Sequence, residues 1–337
     1  MPTKFVELDI PNLDVIQSKP LKKYHRVLFR KKISYLYNDL DKKVSLSKFD
    51  IVHATTLFSD GAVALKIKKE YGIPYIIAVR ATDIAGFLRY RKDLIGLALE
   101  ILRESKKIIF ITPILKKSFF RHPVIHKYEK QFSEKSSIIF NGIEDFWLKD
   151  RLNKKDLAPN KILYVGKLTQ RKNALNLCNA VVSLNKMGHN FKLTIVGSGG
   201  AFEEKIKELS KKNGDFISYL GKISNKDELM NVYRENHIFS LPSKSETFGL
   251  VYLEALSQGL PIMYLKNESV DGMFQSKVGQ RAPNPKVKTL MESILLLVED
   301  YSTIDLEKID FNLFSWSFIS DRYHEMYKQI TQNTEFS

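Results

Sequence analysis

The sequence predicts an α/β protein built from two Rossmann-like domains, each a parallel sheet covered by helices. Three observations predict it. Short apolar runs alternate with amphipathic stretches along most of the chain. The apolar runs are apolar throughout, as strands buried on both faces are. The alternation halts in a polar run, LKDRLNKKDLAPNK at 148–161, and then starts again. A length of 337 residues suits two domains of roughly 150–170 residues each.

The elements follow in order. KFVELDI (4–10) reads as a strand. Leu21, Tyr24, Val27, Leu28, Ile33, Leu36 and Tyr37 then fall near helical spacing, which predicts a basic amphipathic helix. FDIVHATT (49–56) is a strand, GAVALKIKKEY a helix ending at Gly72, and IPYIIAVR (73–80) a strand. A helix DLIGLALEILRES, a strand KKIIFIT, a helix PILKKSFFR with Pro113 at its start, and a strand SSIIFNGI (136–143) close the first half. The second half reads KILYVGKL (161–168), NALNLCNAVVSLNKMG, FKLTIVGSG (191–199), AFEEKIKELSKKNG, FISYLGKI, KDELMNVYREN, HIFSLPS (237–243), GLVYLEALSQG and LPIMYL, strand and helix in turn. Helical patterns run on through LMESILLLVED and SFISDRYHEMYKQI.

Composition narrows the class. The single cysteine, Cys178, excludes an intrachain disulfide, fits a reducing compartment, and lies in a run that predicts a buried helix thiol. No run is long and apolar enough to span a membrane, and the start MPTKFVELDI lacks the apolar stretch of a signal peptide, so a cytoplasmic protein is expected. The net charge of +15 is uneven: residues 1–150 carry 28 Lys/Arg against 17 Asp/Glu. The densest stretch, KPLKKYHRVLFRKK (19–32), fits a solvated helix face or a peripheral site at the inner face of an anionic membrane through Lys22, Lys23, Arg26, Arg30, Lys31 and Lys32. No zinc-ligand spacing, RNA-stacking motif or zipper heptad accompanies it, so nucleic acid is not the expected partner.

Ligands of parallel sheets bind beyond the carboxyl ends of the strands, which makes the cleft between two such domains the expected site. VGKLTQRKN brings Lys167, Arg171 and Lys172 to one such end, a cation set suited to a diphosphate. In IVGSGG, Gly197 and Gly199 serve either a tight turn or a close approach to a nucleotide; without a full G-x-G-x-x-G a nicotinamide site is not expected. LGKIS holds Lys222 and Ile223 at the edge of a base pocket or in a simple turn. SKSETFGLVYLEALSQGLPIM (243–263) puts Glu246 in a loop after a strand and Glu254 about one turn into a helix. Between them the amides of Phe248, Gly249, Leu250 and Val251 are unpaired donors of a first turn, favourable to phosphate. Two carboxylates flanking phosphate donors match a sugar nucleotide: hexose hydroxyls, diphosphate, ribose hydroxyls.

These segments resemble family-4 retaining glycosyltransferases, which have the GT-B fold. The loop and helix SETFGLVYLEALSQGLPIM resembles the family's paired-glutamate signature, FDIVHATT its Asp-Val-Ile-His strand, and IIFNGIEDFW its segment before the linker. ILYVGKLTQRKN, LTIVGSG, FISYLGKIS and FSWSFISDRYHEMYKQI follow in the family's order, over roughly residues 50–335. The resemblance implies two Rossmann-like domains facing across a cleft: an acceptor-side domain at 1–150, a nucleotide-sugar domain at 151–318, and a helix at 319–337 that crosses back to the first. It implies Glu246, Lys172 and Lys167 in catalysis. Thr247, Phe248, Gly249, Leu250, Val251, Glu254, Gly197, Lys222 and Ile223 would bind the donor, a UDP- or GDP-sugar, and no metal is expected. Transfer would retain configuration, onto a glycan or lipid-linked acceptor of surface-polysaccharide or glycolipid biosynthesis. Arg80 and Asp83 would lie on the acceptor side.

The chain departs from the pattern in three places. Lys167 stands where the family has arginine, and Asn173 where it has glycine. RATD replaces the family's His-Gly-x-Asp, with Arg80 for histidine and Ala81 for glycine. The opening strand and Gly-rich loop are not recognisable, which fits either a shortened first domain or a reading frame that starts late. An alternative of another class is a nucleotide-sugar-binding subunit without activity of its own. A third is a sugar-nucleotide epimerase, which would convert the donor without any acceptor, or a phosphorylase, whose lysine-bound pyridoxal phosphate site nothing here resembles.

Overall fold

Runs of Ile, Val, Phe and Tyr without polar interruption form the strands, and they pair in parallel. The computed structural model describes residues 11–152 and 158–332, so the strand expected at 4–10 lies outside the described residues. Of the described residues, 11–109, 128–137 and 326–332 make one compact unit, and 110–127 with 138–325 the other.

The first unit carries a four-stranded sheet in the order β1-β2-β3-β4, with β1 Val52–Ala54, β2 Tyr75–Ala78, β3 Lys107–Phe110 and β4 Ser136–Ile138. β1 pairs with β2, and β2 with β3, in parallel. Helices α1 (Phe29–Asp41), α2 (Ser59–Tyr71) and α3 (Ile95–Glu104) belong to it. Tyr37 of α1 and Ile67 of α2 share a buried cluster with Leu46 and Ile73. A π-helical turn, Asp83–Leu88, follows β2.

The basic helix is shorter than the spacing predicts. It starts at Phe29, preceded by a single 3-10 turn at Lys23–Arg26. Leu28 breaks the helical path just before it, with φ -84° and ψ 71°. The Lys22 amide donates to His25 Nδ1 at 3.1 Å, a local bond that competes with a helix start. Leu21, Tyr24, Val27 and Leu28 are consequently exposed, Val27 at 72%, rather than core residues.

In the second unit, α4 (Pro113–Phe120), α5 (Pro123–His126) and α7 (Asp145–Lys149) precede the main sheet, while α6 (Glu129–Ser133) belongs to the first unit. Its strands are β5 Lys161–Val165, β6 Lys192–Val196, β7 Ile217–Gly221, β8 Ile238–Ser240, β9 Ile262–Leu265 and β10 Gly279–Ala282. The order is β10-β9-β8-β5-β6-β7, and every neighbouring pair is parallel. That is the doubly wound Rossmann order, with the reversal between β5 and β8. The connecting helices are α8 (Ala174–Lys186), α9 (Glu203–Lys212), α10 (Lys226–Glu235), α11 (Leu250–Ser257) and α12 (Val287–Asp300). The last helix, α13, runs Trp316–Gln332. Strands β5, β6, β8 and β9 are buried along nearly their whole length, which is why they are legible as apolar runs. Cys178 is buried in α8, as its run predicts, and burial pushes its thiol up to about 12.

Candidate functional site

The reversal between β5 and β8 is the place where such a sheet opens a crevice at its carboxyl edge. The loops that leave those two strands hold the two central residues of the expected site. Lys172 Nζ pairs with Glu246 Oε2, and both side chains are mostly buried, at 17% and 11% exposed. The loops are also strapped by backbone: the Lys244 amide donates to the Arg171 carbonyl at 2.8 Å. Glu268, from the turn after β9, accepts from the Glu246 amide at 2.9 Å and so fixes the loop from the other side. Burial raises the Glu268 carboxyl, against the pull of the Ser245 and Glu246 amides.

α11 begins at Leu250, as the sequence predicts, and Gly249 is its N-cap in the left-handed region at φ 80°. A Cβ there would lie 2.5 Å from Cδ2 of Tyr252 and 3.2 Å from Cγ of Glu246. Tyr252 cannot retreat, because it is fully buried and its hydroxyl donates to the Leu241 carbonyl at 2.6 Å. Glycine at 249 therefore lets the chain turn from Glu246 into the helix with its first-turn amides open. Thr247 and Leu250 are exposed, Val251 is half-buried, and the Phe248 ring is buried, leaving its backbone for any contact.

Glu254 lies on α11, half-buried. Its Oε2 accepts from the Tyr233 hydroxyl at 3.0 Å. Burial pushes its carboxyl up to about 7; the Tyr233 bond opposes the rise and Glu144 adds to it. Tyr233, on α10, is the residue that orients Glu254.

Lys167 is exposed on the loop after β5, where its carbonyl accepts from the Tyr164 hydroxyl at 2.9 Å. Gly197 serves the meeting of two loops: at φ 142°, a Cβ would lie 2.0 Å from the Gly166 carbonyl oxygen. Its amide donates to the Gly221 carbonyl at 2.7 Å, which brings Gly197 beside the turn of Lys222 and Ile223. Lys222 is exposed and Ile223 half-buried.

Arg80 and Asp83 stand together in the first unit. Asp83 is buried, and its carboxylate accepts from the amides of Arg80 at 2.8 Å and Leu57 at 3.2 Å. Burial raises it despite those bonds. Arg80 Nε donates to the Thr55 carbonyl at 2.9 Å. Asp83 thus joins the loops that leave β1 and β2. Nearby, His53 Nδ1 lies 2.7 Å from the Tyr327 hydroxyl, and burial, with the Arg80 charge second, lowers its pKa.

Sequence reasoning missed Glu268, Tyr233 and His53 as parts of these sites. Glu268 and Tyr233 act across the fold on residues 22 and 21 positions away, which spacing does not reveal. The usable signal for Glu268 was its place just past the carboxyl end of a strand. Among the described residues no group of three or more His, Cys, Asp or Glu could hold a metal ion.

With this geometry in view, comparison with known proteins fixes the class. Residues 145–309 match the family model "Glycosyl transferases group 1". The chain is 28% identical over 284 residues to the alpha-monoglucosyldiacylglycerol synthase of Acholeplasma laidlawii, covering 77% of this chain and 68% of that protein. Among solved structures it is similar to sucrose-phosphate synthase of Thermosynechococcus elongatus, with TM-score 0.65, 17% identity, and 91% and 80% of the two chains covered. It is also similar to HepE of Anabaena in complex with UDP, with TM-score 0.63, 15% identity, and 85% and 80% covered. The fold is GT-B, and the protein is an enzyme that transfers glycosyl groups. The chain is similar to family-4-like group 1 glycosyltransferases and is a hexosyltransferase; glycosyltransferases of that group take their sugar from nucleotide-sugar donors.

Proposed function

We propose that the protein is a metal-independent retaining hexosyltransferase that uses a uridine or guanosine diphosphate sugar to glycosylate a lipid-linked or glycan acceptor. The observation that carries this reading is the Lys172–Glu246 pair at the sheet reversal, with Glu246 just ahead of the first turn of α11, which begins at Leu250. Glu246 takes the hexose hydroxyls, held in place by Lys172 and by Glu268 on its amide. Thr247, Phe248 and Gly249 line the sugar with backbone, and the amides of Leu250 and Val251 face the diphosphate. Glu254 takes the ribose, and Gly197, Lys222 and Ile223 edge the base.

In the reaction the bond from the anomeric carbon to the diphosphate oxygen breaks. A bond from that carbon to the acceptor oxygen forms on the same face, and the acceptor proton passes to the departing phosphate. Charge grows on the diphosphate as it leaves. In this reading Lys172, Lys167 and the α11 amides face that charge, and preorganised donors of this kind lower the barrier. Arg80 and Asp83 shape the acceptor side. The acceptor reading draws support from the glycolipid named for the Acholeplasma relative and from exposed apolar residues beside basic ones at 13–31.

The test is Glu246→Gln. Transfer from a panel of UDP- and GDP-hexoses to lipid-linked acceptors should fall at least 100-fold, with nucleotide affinity within a few fold of wild type. Undiminished turnover would remove Glu246 from the site. Proton NMR of the product's anomeric signal tests retention directly.

A further inference from the structure

The second unit has a cavity of about 680 Å³ whose lining includes neither Lys172 nor Glu246. Three loops at strand carboxyl ends supply cations to it: Arg171 after β5, Lys244 after β8 and Lys286 after β10. All three side chains are exposed, and no Asp or Glu lines the cavity. Glu268 acts on Arg171 from outside the lining, and its oxygen is already engaged by the Glu246 amide. Three like charges around one cavity repel, and a bound oxyanion relieves that repulsion.

The rest of the lining points to the body of the ligand. Gln170, Asn176 and Asn284 offer amides, and Phe202 offers a ring. Asn176 Nδ2 donates to the Pro285 carbonyl at 2.8 Å, which sets its amide in one orientation. Amides that both donate and accept, next to an apolar ring face, suit a chain of sugar hydroxyls. Leu175 and Asn176 of the first turn of α8 and Lys286, the N-cap of α12, line the same cavity, and the start of a helix tolerates negative charge.

We propose that this cavity binds an acidic saccharide: a sugar chain carrying carboxylate or phosphate groups, seated on Arg171, Lys244 and Lys286. The site is separate from the donor contacts and does not depend on their assignment. It borders them, because the Lys244–Arg171 backbone bond straps the two loops that carry Lys172 and Glu246. A saccharide bridging those loops would hold them together.

Calorimetric titration tests it, with hexagalacturonate, pentamannose 6-phosphate, neutral maltohexaose and inorganic phosphate as probes. At least one acidic oligosaccharide should bind ten or more times tighter than maltohexaose and than phosphate alone; which one identifies the anionic group. The double variant Lys244→Gln/Lys286→Gln should weaken it at least tenfold, and Lys244→Arg/Lys286→Arg should keep it. Thermal melting of each variant separates lost binding from lost fold. Failure of both acidic sugars to bind, equal binding of inorganic phosphate, or undiminished binding by the double glutamine variant would overturn the proposal. Nucleotide binding, measured on the same samples, reports on the donor reading separately.

Discussion

Glu254 shows what one residue gives up to be in place for a ligand. Burial holds its carboxyl at about 7, above the ordinary 4.5. The folded chain therefore keeps the proton up to about pH 7, whereas the unfolded chain releases it near 4.5. Stability from this residue is fully present below pH 4.5 and is lost as pH rises through 7. Glu254→Gln should melt like wild type near pH 4.5 and be more stable at pH 8 by roughly 1–3 kcal/mol. An advantage that did not change with pH would refute this account. If the carboxylate accepts from ribose hydroxyls, nucleotide affinity of the wild type should also climb between pH 6 and 8. The paired glutamates were legible in the sequence because both lie in one loop and helix. Their supports, Tyr233 and Glu268, were not, because each reaches its partner from another segment of the chain.

At the scale of elements, the turn from β8 into α11 rests on Gly249. Gly249→Ala should destabilise the protein by about 2–4 kcal/mol, since the left-handed backbone and the Tyr252 ring both oppose a methyl group. Urea unfolding within 0.5 kcal/mol of wild type would show that the ring can move after all. Most strands were readable for a plain reason: a strand covered on both faces has no polar position. β10 was not, because Gln280 and Arg281 interrupt it at the sheet edge. The basic stretch misled in the opposite direction. Leu21, Tyr24, Val27 and Leu28 have helical spacing, but the 3-10 turn at Lys23–Arg26 and the non-helical backbone of Leu28 (φ -84°, ψ 71°) divide them from α1. Periodicity identifies a face only where the backbone permits the helix.

At the scale of the whole molecule, charge and exposed apolar surface coincide. Leu13, Val15, Ile16, Leu21, Tyr24, Val27 and Leu28 are exposed, interleaved with exposed Lys19, Lys22 and Lys23. No helix among the described residues is long and apolar enough to cross a membrane, so any lipid contact through this stretch would be at the surface. Each basic residue near an anionic surface contributes about 1 kcal/mol. Neutralising Lys22, Lys23, Arg30 and Lys31 should release the protein from vesicles containing phosphatidylglycerol, as should high salt. Lys32 is better left intact, because it donates to Ser59 Oγ at 2.7 Å and burial lowers its pKa. Sedimentation of the variant with vesicles as efficient as wild type would leave the stretch a solvated surface.

The lone thiol in α8 has a practical consequence. Cys178 is the one cysteine of the sequence, and it is sealed in the core in its unreactive form. The wild-type chain is therefore a silent background for maleimide dyes. A cysteine introduced on an exposed position of each unit would take up fluorophores without removing any native residue first. Energy transfer between them would then report, one molecule at a time, whether the distance between the labels changes when a nucleotide sugar is added.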